Sequence, residues 1–545
     1  MGNHFIGVDV GTGSARAGVF DEKGRLLGVA KKDITMWRAE GGIVEQSSDN
    51  IWDAICYCTR TAIAEAGIDP ATVRGLGFDA TCSLVVLDEK GAPLAVGPSD
   101  DANRNIIVWM DHRAIDQTNR INASGQDVLR YVGGKISPEM ETPKLLWLKE
   151  NKPDIFAAAR YFFDLADFLS WRATGSEVRS VCTVTCKWTY LAHEKKWDVN
   201  YFKAVGLEEL AENDFARIGS DVADIATPLG NGISEAAAAE LGLVAGIPVG
   251  ASLIDAHCGG IGTFACIGPN GEDLPPATQM ALIMGTSACA MTLADEANFV
   301  DGVWGPYYGA MVPGYWLLEG GQSAYGAALD YLLTLHPAYG AMKEKAAQAG
   351  MALPFYLEKR ATEKAGSLEA VAGLARNLHV VPEFLGNRAP YADPEATGVI
   401  SGLTLDSSED SLIRLYVAGL CGLCYGTRQI IDAEKAKGLP LETLVVSGGA
   451  AQSPLLRRIL ADATGMKVAL PETVEPVLLG GAIIGAVAAG FYADLQDGAG
   501  KMSAIKEISE PAGGENAKLH DKKFAAFAAL QDADRKIRKA MKDEA

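Results

Sequence analysis

The strongest constraint on the fold is a repeated pattern of two apolar strands joined by a Gly-Thr turn. Residues 5–10 and 15–20 read as strands around GTGS, and the DEKG turn leads into a third strand at residues 25–30. Far along the chain, QMALIMGTSACAMTLA repeats strand, GTS turn and strand. This recurrence predicts two related halves, each with its own β-hairpin.

The other segments alternate between strand and helix patterns. DNIWDAICYCTRTAIAEAG has apolar residues at helical spacing, and RGLGFDATCSLVVLD reads as strand, loop and strand. Such alternation predicts an α/β fold. A chain of 545 residues with 48% hydrophobic residues is too long for a single ordinary core. We therefore expect domains at residues 1–260 and 261–500, with a Gly-rich hinge (CGGIG) near 260, and a helical tail at residues 501–545.

Charge and cysteine content exclude several classes of partner. The formal net charge of -20 disfavours nucleic acids and anionic membranes, which proteins bind mainly through Lys and Arg. Ten cysteines are scattered without zinc-site spacing, and Cys421 and Cys424 fit a helix face that packs in the core. The chain has no leader pattern and no apolar run of membrane-spanning length. These features predict a cytoplasmic protein without nucleic-acid or membrane partners.

The first Gly-Thr loop is a candidate phosphate site. It is not a dinucleotide fingerprint, because Arg16 replaces the third glycine and a strand follows. Its amides and the hydroxyls of Thr12 and Ser14 can instead surround phosphate oxygens. Asp9 precedes the loop, and a carboxylate about 4 Å from a phosphate is repelled by about 4 kcal/mol at an effective dielectric of about 20. We therefore expect Mg²⁺ between them, the alternative being a plain tight hairpin with Asp9 capping its own turn.

Two later loops extend the phosphate-site hypothesis. Gly285, Thr286 and Ser287 occupy the equivalent turn of the second hairpin, and an SGGAAQ turn joins a later strand to a helix. Together the three loops predict a phosphate clamp with a shelf for adenosine. Actin-like ATPases share this layout.

Six motifs spread over about residues 5–490 resemble a known family. In chain order they are VDVGTGSAR, SLIDAHCGG, IMGTSAC, LEGGQS, GVISGL and VVSGGAAQSP. They resemble the FGGY family of carbohydrate kinases, and GLGFDATCSLVVLD with WMDHRA resembles its ribulokinase branch. The resemblance implies two actin-like (ribonuclease H-like) ATPase domains with a cleft between them.

The resemblance also implies an activity. Members transfer the γ-phosphoryl group of ATP, with Mg²⁺, to a terminal sugar hydroxyl, and the expected substrate here is a ketopentose, most closely D-ribulose. Phosphorylation of L-ribulose, xylulose or ribitol is the alternative within this class. A non-catalytic sugar or nucleotide sensor is the alternative outside it, although such a sensor would not require this complete set of loops and carboxylates. Relatives are often dimers, so a homodimer is possible.

Matching positions imply residue roles. Asp255 corresponds to the catalytic base, although by sequence alone it could cap a helix, and Asp9 corresponds to the residue that holds the metal through water. With Ser14 and Ser287 from the loop pattern, the nucleotide-binding positions are Gly11, Thr12, Gly13, Ser14, Arg16, Gly285, Thr286, Ser287, Gly448, Gly449, Ala450 and Ser453. The sugar-binding positions are Asp79, Thr81, Cys82, Ser83, Trp109, Asp111, Lys187, Asp255 and Glu319.

Some nearby side chains have competing interpretations. Cys82 suits a polar contact and a packing position equally. His257 is expected to be a structural histidine, and Trp188, Trp304 and Trp316 are expected in the core rather than stacked on a sugar. Ser453 stands where relatives often have Asn, and a hydroxyl replaces only part of the hydrogen bonding of an amide.

Overall fold

Both predicted hairpins form, and each belongs to a mixed β-sheet. The computed structural model describes residues 2–264, 268 and 274–542. Its strands are β1 (His4–Val10), β2 (Ser14–Asp21), β3 (Leu26–Asp33), β4 (Trp37–Ala39), β5 (Ile43–Gln46), β6 (Val73–Ala80), β7 (Leu84–Leu87), β8 (Ile106–Ile107), β9 (Tyr161–Asp164), β10 (Arg179–Ser180), β11 (Val222–Ala223), β12 (Val249–Ile254), β13 (Gln279–Met284), β14 (Ala288–Ala294), β15 (Trp304–Tyr308), β16 (Trp316–Gln322), β17 (His379–Val381), β18 (Val399–Ser401), β19 (Thr443–Ser447), β20 (Lys467–Pro471) and β21 (Ile505–Ser509). Its α-helices are α1 (Ser48–Ala66), α2 (Ile115–Ala123), α3 (Glu141–Asn151), α4 (Pro153–Ala158), α5 (Leu165–Thr174), α6 (Val181–Trp188), α7 (Val199–Ala204), α8 (Glu235–Leu241), α9 (Asp255–Thr263), α10 (Gly326–Thr334), α11 (Tyr339–Gln348), α12 (Leu353–Ala365), α13 (Glu409–Lys435), α14 (Pro454–Thr464), α15 (Pro476–Ala488), α16 (Leu495–Met502) and α17 (Gly514–Lys542).

The two main sheets repeat one strand order. The first sheet runs β12-β6-β1-β2-β3, and the centre of the second runs β20-β19-β13-β14-β16. In each, three parallel strands continue into an antiparallel hairpin and a further antiparallel strand. The repeat confirms the predicted α/β fold and the two related halves.

Strand β1 is buried on both faces. Ile6, Val8 and Val10 belong to an apolar cluster that includes residues of α1, whereas Gly7 faces the backbone of α15. Side chains alternate along a strand, so Asp9 shares the α15 face with Gly7. This placement explains why a charged residue follows an otherwise apolar run.

Helix α15 comes from the second half of the chain but packs on the first sheet. A Cβ added at Gly7 would lie 1.8 Å from the carbonyl oxygen of Leu478, and one at Gly480 would lie 2.0 Å from that of Cys258. Glycine is needed wherever two backbones approach this closely. Helix α15 is therefore held against both β1 and α9, and its contacts help to fix Asp255, the first residue of α9.

The Gly-rich segment CGGIG near residue 260 was expected to act as a hinge between the two domains. This segment lies within α9, where its glycines let α9 approach α15: a Cβ at Gly262 would lie 1.9 Å from the carbonyl oxygen of Pro476. Its role as a hinge stays a prediction. The segment PNGEDLPPATQ, which the sequence predicts as an exposed loop between strands, begins at residue 269, and its first five residues lie outside the described residues.

The segment 501–545 contains more than the expected helix. Strand β21 pairs antiparallel with β20 at the edge of the second sheet. Helix α17 forms, but it buries Phe527 and also Lys523, whose ammonium donates to the carbonyl oxygens of Ala375 at 2.6 Å and Leu378 at 3.0 Å. Lys523 is therefore a charged residue of this helix that is buried and not solvated.

A smaller five-stranded sheet, β4-β5-β8-β7-β9, includes strands that lie in sequence between β6 and β12. The segment between β6 and β12, which contains β7, β8 and β9, carries Trp109, and its helix α6 carries Lys187.

Across the described ranges, no helix has both the length and the apolar character needed to cross a membrane.

Candidate active site

Three carboxylates meet where parallel strands of the first sheet end. Asp9 on β1 pairs in register with Asp79 on β6, and Asp79 lies beside Leu253 of β12, two residues before Asp255. Asp9 and Asp79 are buried, whereas Asp255 is partly exposed. The strand order therefore brings the predicted metal-binding and catalytic residues to one edge of the sheet.

The electrostatics of this edge favour an added positive charge. Burial raises the pKa of Asp79 well above its usual range, and the charges of Asp9 and Asp255 raise it further. Both carboxyl oxygens of Asp79 are buried without a hydrogen-bond partner of good geometry in the described structure. Burial, aided by Asp9, also raises the pKa of Asp255 to about 6. Neighbouring carboxylates of this kind need a proton or a cation to offset their repulsion.

Arg16 supplies part of that positive charge. It faces Asp9 across the hairpin, and its Nε donates to Asp9 Oδ2 at 2.8 Å. Its Nη1 donates to Glu475 Oε2 at 2.7 Å, just before the start of α15. The guanidinium thus joins the first hairpin to α15 through two carboxylates, an ion pair that sequence reasoning did not predict.

The two Gly-Thr loops have related but unequal geometry. The amide of Gly11 donates to the Ser14 carbonyl at 3.1 Å, and the amide of Gly285 donates to the Ser287 carbonyl at 2.9 Å, so the second loop is one residue shorter. At Gly13 an added Cβ would meet no atom within 4 Å, which leaves the backbone open to close approach by a ligand. Their role in phosphate binding stays a prediction.

Trp109 connects the first loop to the predicted sugar loop. Its indole Nε1 donates to Thr12 Oγ1 at 3.0 Å, and its backbone amide donates to Ser83 Oγ at 3.1 Å. Thr81 Oγ1 lies 3.2 Å from Ser83 Oγ. Cys82 lies between Thr81 and Ser83 in the sequence and is buried, and this burial raises the pKa of its thiol. The predicted sugar loop is thereby tied to the predicted phosphate loop.

The predicted adenosine turn lies against the second hairpin. Gly448 has a φ of 87°, and a Cβ there would lie 2.4 Å from the carbonyl oxygen of Met284. Only glycine suits both the left-handed backbone and this approach. The 3₁₀ turn Gly449–Gln452, which includes Ala450, therefore begins beside the end of β13, close to Gly285.

Ser453 has its hydrogen bonds inside the protein. Its hydroxyl accepts from the amide of Leu456 at 3.0 Å and donates to Glu358 Oε2 at 2.6 Å. The side chain caps α14 and is buried. Both bonds of the hydroxyl are to the protein itself, and a contact between Ser453 and the nucleotide stays a prediction.

A buried cluster of charges surrounds Glu319 on β16. Its carboxylate lies 2.7 Å from Arg388 Nη2, 3.8 Å from Lys187 Nζ and 3.4 Å from His257 Nε2. Although burial opposes ionisation, Lys187, His257 and Arg388 lower the pKa of Glu319. The cations of Lys187 and Arg388 also lie 4.6 Å and 4.3 Å from the centre of the Trp304 ring. The predicted sugar-binding residues Lys187 and Glu319 are thus adjacent.

His257 is buried, in agreement with its expected structural role. Its Nδ1 lies 3.1 Å from Cys182 Sγ, while Nε2 faces Glu319. Burial opposes a thiolate at Cys182, yet hydrogen bonding with Cys186 and the charge of His257 lower the pKa of that thiol.

The positive charge of Lys187 also acts on Asp255. It counters part of the rise that burial causes in the pKa of Asp255.

The three tryptophans differ in surroundings. Trp188 is fully buried in the core. Trp316 lies in an aromatic cluster, with ring centres 6.3 Å from Tyr131 and 5.0 Å from Tyr308. Trp304 is partly exposed, and the cations of Lys187 and Arg388 lie over its ring. Trp188 therefore belongs to the core as expected, whereas Trp304 belongs to the charged cluster.

Asp111 is enclosed by its own neighbours. Its carboxylate accepts from the amide of Val44 at 2.6 Å and from Arg113 Nε at 2.9 Å, and Arg113 also reaches Glu45 at 3.1 Å. Asp111 is fully buried. These contacts hold the turn after β8 that carries Trp109, and a contact between Asp111 and the sugar stays a prediction.

Two charged residues of this region were missed. Arg388 and Glu475 reach Glu319 and Arg16 only through the tertiary fold, across 69 and 459 positions of sequence. Glu475 precedes a Pro-led, Gly-rich helix, which is a weak signal because acidic residues are common before helices. For Arg388 the surrounding sequence FLGNRAP gives no signal.

A cavity of about 630 Å³ lies elsewhere in the second half. Residues 335–337, 373–378 and 400–415 contribute to its lining, including Leu403 and Leu405. None of the predicted site residues borders it. The ends of the parallel strands are therefore a better guide to this site than cavity volume.

The fold is that of known sugar kinases. A gluconate kinase from Lactobacillus acidophilus matches with a TM-score of 0.79 at 20% identity, over 98% of both chains. A xylulose kinase from Rhodospirillum rubrum matches with a TM-score of 0.78 at 22% identity, over 97% of this chain and 99% of that chain. At this identity the likeness establishes the fold.

Sequence similarity establishes the family. Profiles of the N-terminal and C-terminal domains of the FGGY family of carbohydrate kinases match residues 4–262 and 280–489. An FGGY carbohydrate kinase domain-containing protein of Homo sapiens is 44% identical, over 99% of this chain and 98% of its own. A D-ribulokinase of Saccharomyces cerevisiae is 40% identical, over 89% of this chain and 72% of its own. The chain belongs to the FGGY family of carbohydrate kinases and is a phosphotransferase that acts on a sugar.

Proposed function

We propose that this enzyme transfers the γ-phosphoryl group of ATP to the terminal hydroxyl of D-ribulose, giving D-ribulose 5-phosphate. Residues 1–260 would supply Asp9 and Asp255, and residues 261–500 the second phosphate loop and the adenosine turn. The observation that carries the chemistry is Asp255, a partly exposed carboxylate at the end of β12 with a pKa of about 6. Such a group is deprotonated at neutral pH and basic enough to accept a hydroxyl proton.

The residues at the strand ends suit a magnesium ion. Asp79 has two buried oxygens without a hydrogen-bond partner of good geometry beside Asp9, and the guanidinium of Arg16 is shared between Asp9 and Glu475. Mg²⁺ is bound through few carboxylates together with substrate phosphates and water. Asp9 would hold it through water, and the ion would neutralise charge on the transferring phosphoryl group. The amides of both Gly-Thr loops would orient the phosphates.

The charged cluster around Glu319 suits a polyhydroxylated substrate. Lys187 donates and Glu319 accepts hydrogen bonds, so together they can recognise adjacent sugar hydroxyls. A site built from such groups discriminates strongly against analogues that lack a hydroxyl. The choice of D-ribulose rests on the similarity to the yeast D-ribulokinase, since bacterial ribulokinases are more distant, at 28 to 30% identity.

The compartment and the oligomeric state are the remaining parts of the proposal: a cytoplasmic homodimer. All nine cysteines of the described residues are free thiols, which suits a reducing compartment such as the cytoplasm. The homodimer rests on the resemblance to the family alone.

The test is an ADP-release assay over D-ribulose, L-ribulose, D- and L-xylulose, ribitol, L-arabitol and glycerol. We expect D-ribulose to give the highest kcat/KM. Asp255→Asn should lower kcat by about 10²- to 10⁴-fold and leave ATP binding largely intact, since an amide cannot accept the proton. A higher kcat/KM with another sugar overturns the choice of D-ribulose, and an unchanged kcat in the variant overturns the role of Asp255.

A further inference from the structure

A cluster of soft ligands lies beside the site and has no part in the proposed reaction. Cys182 and Cys186 are one turn apart on α6, and His257 of α9 faces them. Their three ligand atoms all lie within 4.8 Å of one another, and all three residues are fully buried. Among the residues that the structure describes, no other group of His, Cys, Asp or Glu is arranged in this way.

The histidine in this cluster is already oriented. Its Nδ1 points at Cys182 Sγ, 3.1 Å away, while Nε2 lies 3.4 Å from Glu319 Oε2. Metal-binding histidines commonly use one ring nitrogen for the metal and the other for a carboxylate, which fixes the ring. The same pair of contacts is present here before any metal is added.

We infer that Cys182, Cys186 and His257 form a binding site for a thiophilic divalent cation such as Zn²⁺. In a tetrahedral zinc site, bond lengths of about 2.3 Å to sulfur and 2.1 Å to nitrogen put the ligand atoms about 3.6 to 3.8 Å apart. The observed spread, from 3.1 Å to at most 4.8 Å, reaches those separations by small side-chain rotations. The protein supplies three ligands, and a tetrahedral ion would take one more.

The donor set separates this cation from magnesium. Two thiolates and an imidazole favour zinc, cadmium and cobalt, whereas Mg²⁺ takes oxygen ligands. The carboxylates at Asp9 and Asp79 have the opposite preference. The enzyme would therefore hold two different metals at two chemically distinct places.

A metal at this site has a consequence for the sugar pocket, and this part rests on the proposed function. The ion would replace the hydrogen bond between Cys182 and His257, and His257 contacts Glu319 and lies two residues from Asp255. Occupancy should therefore change the KM for the sugar more than the KM for ATP. The site would make the kinase sensitive to thiophilic metals.

The test is direct titration of the full-length, reduced protein with Cd²⁺ and with Co²⁺, without sugar or nucleotide. We expect one equivalent of Cd²⁺ to give a thiolate charge-transfer band in the ultraviolet, and Co²⁺ to give the visible bands of a tetrahedral thiolate site. Cys186→Ser and Cys182→Ser should each lose the bands, while far-ultraviolet circular dichroism shows that the variants are folded. This readout does not depend on kinase activity.

The matched control is Cys421→Ser. Cys421 and Cys424 are also buried cysteines about one turn apart on a helix, but no histidine joins them in a ligand cluster of the described residues. That variant should keep the full band. If the unmodified protein shows no stoichiometric band, or if Cys186→Ser keeps it, the inference is overturned and the three residues form only a hydrogen-bonded packing cluster.

Discussion

The two Gly-Thr hairpins have the same strand arrangement and carry different chemistry. In the first, Asp9 pairs with Arg16 and has Asp79 beside it on the parallel strand. At the matching places of the second hairpin, Ile283 pairs with Cys289 and has Ser447 beside it. The ion pair of Asp9 and Arg16 with the buried carboxylate of Asp79 beside it thus occupies the place that an apolar pair beside a serine hydroxyl has in the second hairpin.

This difference shows how one repeated unit can divide the work of a kinase. Backbone amides come with the hairpin, so both copies can orient phosphates. Charged side chains depend on individual residues, and only the first copy carries the Asp and Arg. The first half therefore suits the metal and the reacting groups, while the second suits the nucleotide through its backbone.

Among the changes that compare the two hairpins, the largest effect should come from removing the charge that distinguishes them. Asp9→Asn should lower kcat/KM by about 10²- to 10³-fold, because the Mg²⁺ that Asp9 would hold through water would be bound less tightly and would stabilise the transferring phosphoryl group less. Steady-state kinetics at several Mg²⁺ concentrations measure this loss. The control Ile283→Val changes the matching residue and should cost only about 1 kcal/mol of stability with little loss of activity. Equal losses of activity in both variants would contradict a special role for the first hairpin.

A second comparison uses the strands themselves. Gly7→Ala puts a methyl group 1.8 Å from the Leu478 carbonyl oxygen, and such overpacking should lower the free energy of unfolding by about 3 kcal/mol or more. The matching residue of β13 is Ala281, and Ala281→Gly should cost only about 1 kcal/mol. Denaturant unfolding of both variants gives the two values. Similar costs would show that α15 is not held as closely to the first sheet as described.

The pH profile tests the titrating group of the first sheet. Burial and the charge of Asp9 raise the pKa of Asp255 to about 6, and a general base works only as the carboxylate. The kcat/KM should therefore be level at neutral pH and fall as the pH drops below about 6, by about tenfold for each further pH unit. A profile that stays level one unit below that value, with the protein still folded, would exclude this assignment.

The smallest effect concerns the turn after β19. Ser453→Ala removes a helix cap and should cost about 1 kcal/mol of stability. The KM for ATP should stay within about twofold, because the hydroxyl bonds to Leu456 and Glu358 inside the protein. Thermal unfolding and initial-rate kinetics measure the two quantities. A tenfold rise in KM would instead show that Ser453 contacts the nucleotide.

Local pattern was sufficient for much of the fold. Alternating apolar residues around a Gly-Thr turn predicted both hairpins, and the structure has them at β1–β2 and β13–β14. The long helical pattern that contains Cys421 and Cys424 became α13, with both cysteines buried. These features depend on contacts close in sequence or on burial of one face, which periodicity records.

Side-chain roles were predicted less completely. The motifs predicted ligand contacts for Asp111 and Ser453, which remain predictions, but they did not indicate the hydrogen bonds to Arg113 and Glu358 that the structure shows. Arg388 was missed because its partner Glu319 lies on a distant strand. A motif gives the residue type and the neighbouring backbone, but it does not show which distant side chain already occupies a carboxylate or hydroxyl.

The order of apolar, glycine and charged residues along the chain was enough to determine two αβ halves, a carboxylate before the first loop and another at the start of α9. Tertiary structure alone decided that α15 crosses from one half to the other, that Arg16 lies between Asp9 and Glu475, and that two cysteines meet His257. The physical reason is range: strand alternation and turns follow from neighbouring residues, whereas ion pairs and ligand clusters form only when packing brings remote segments together.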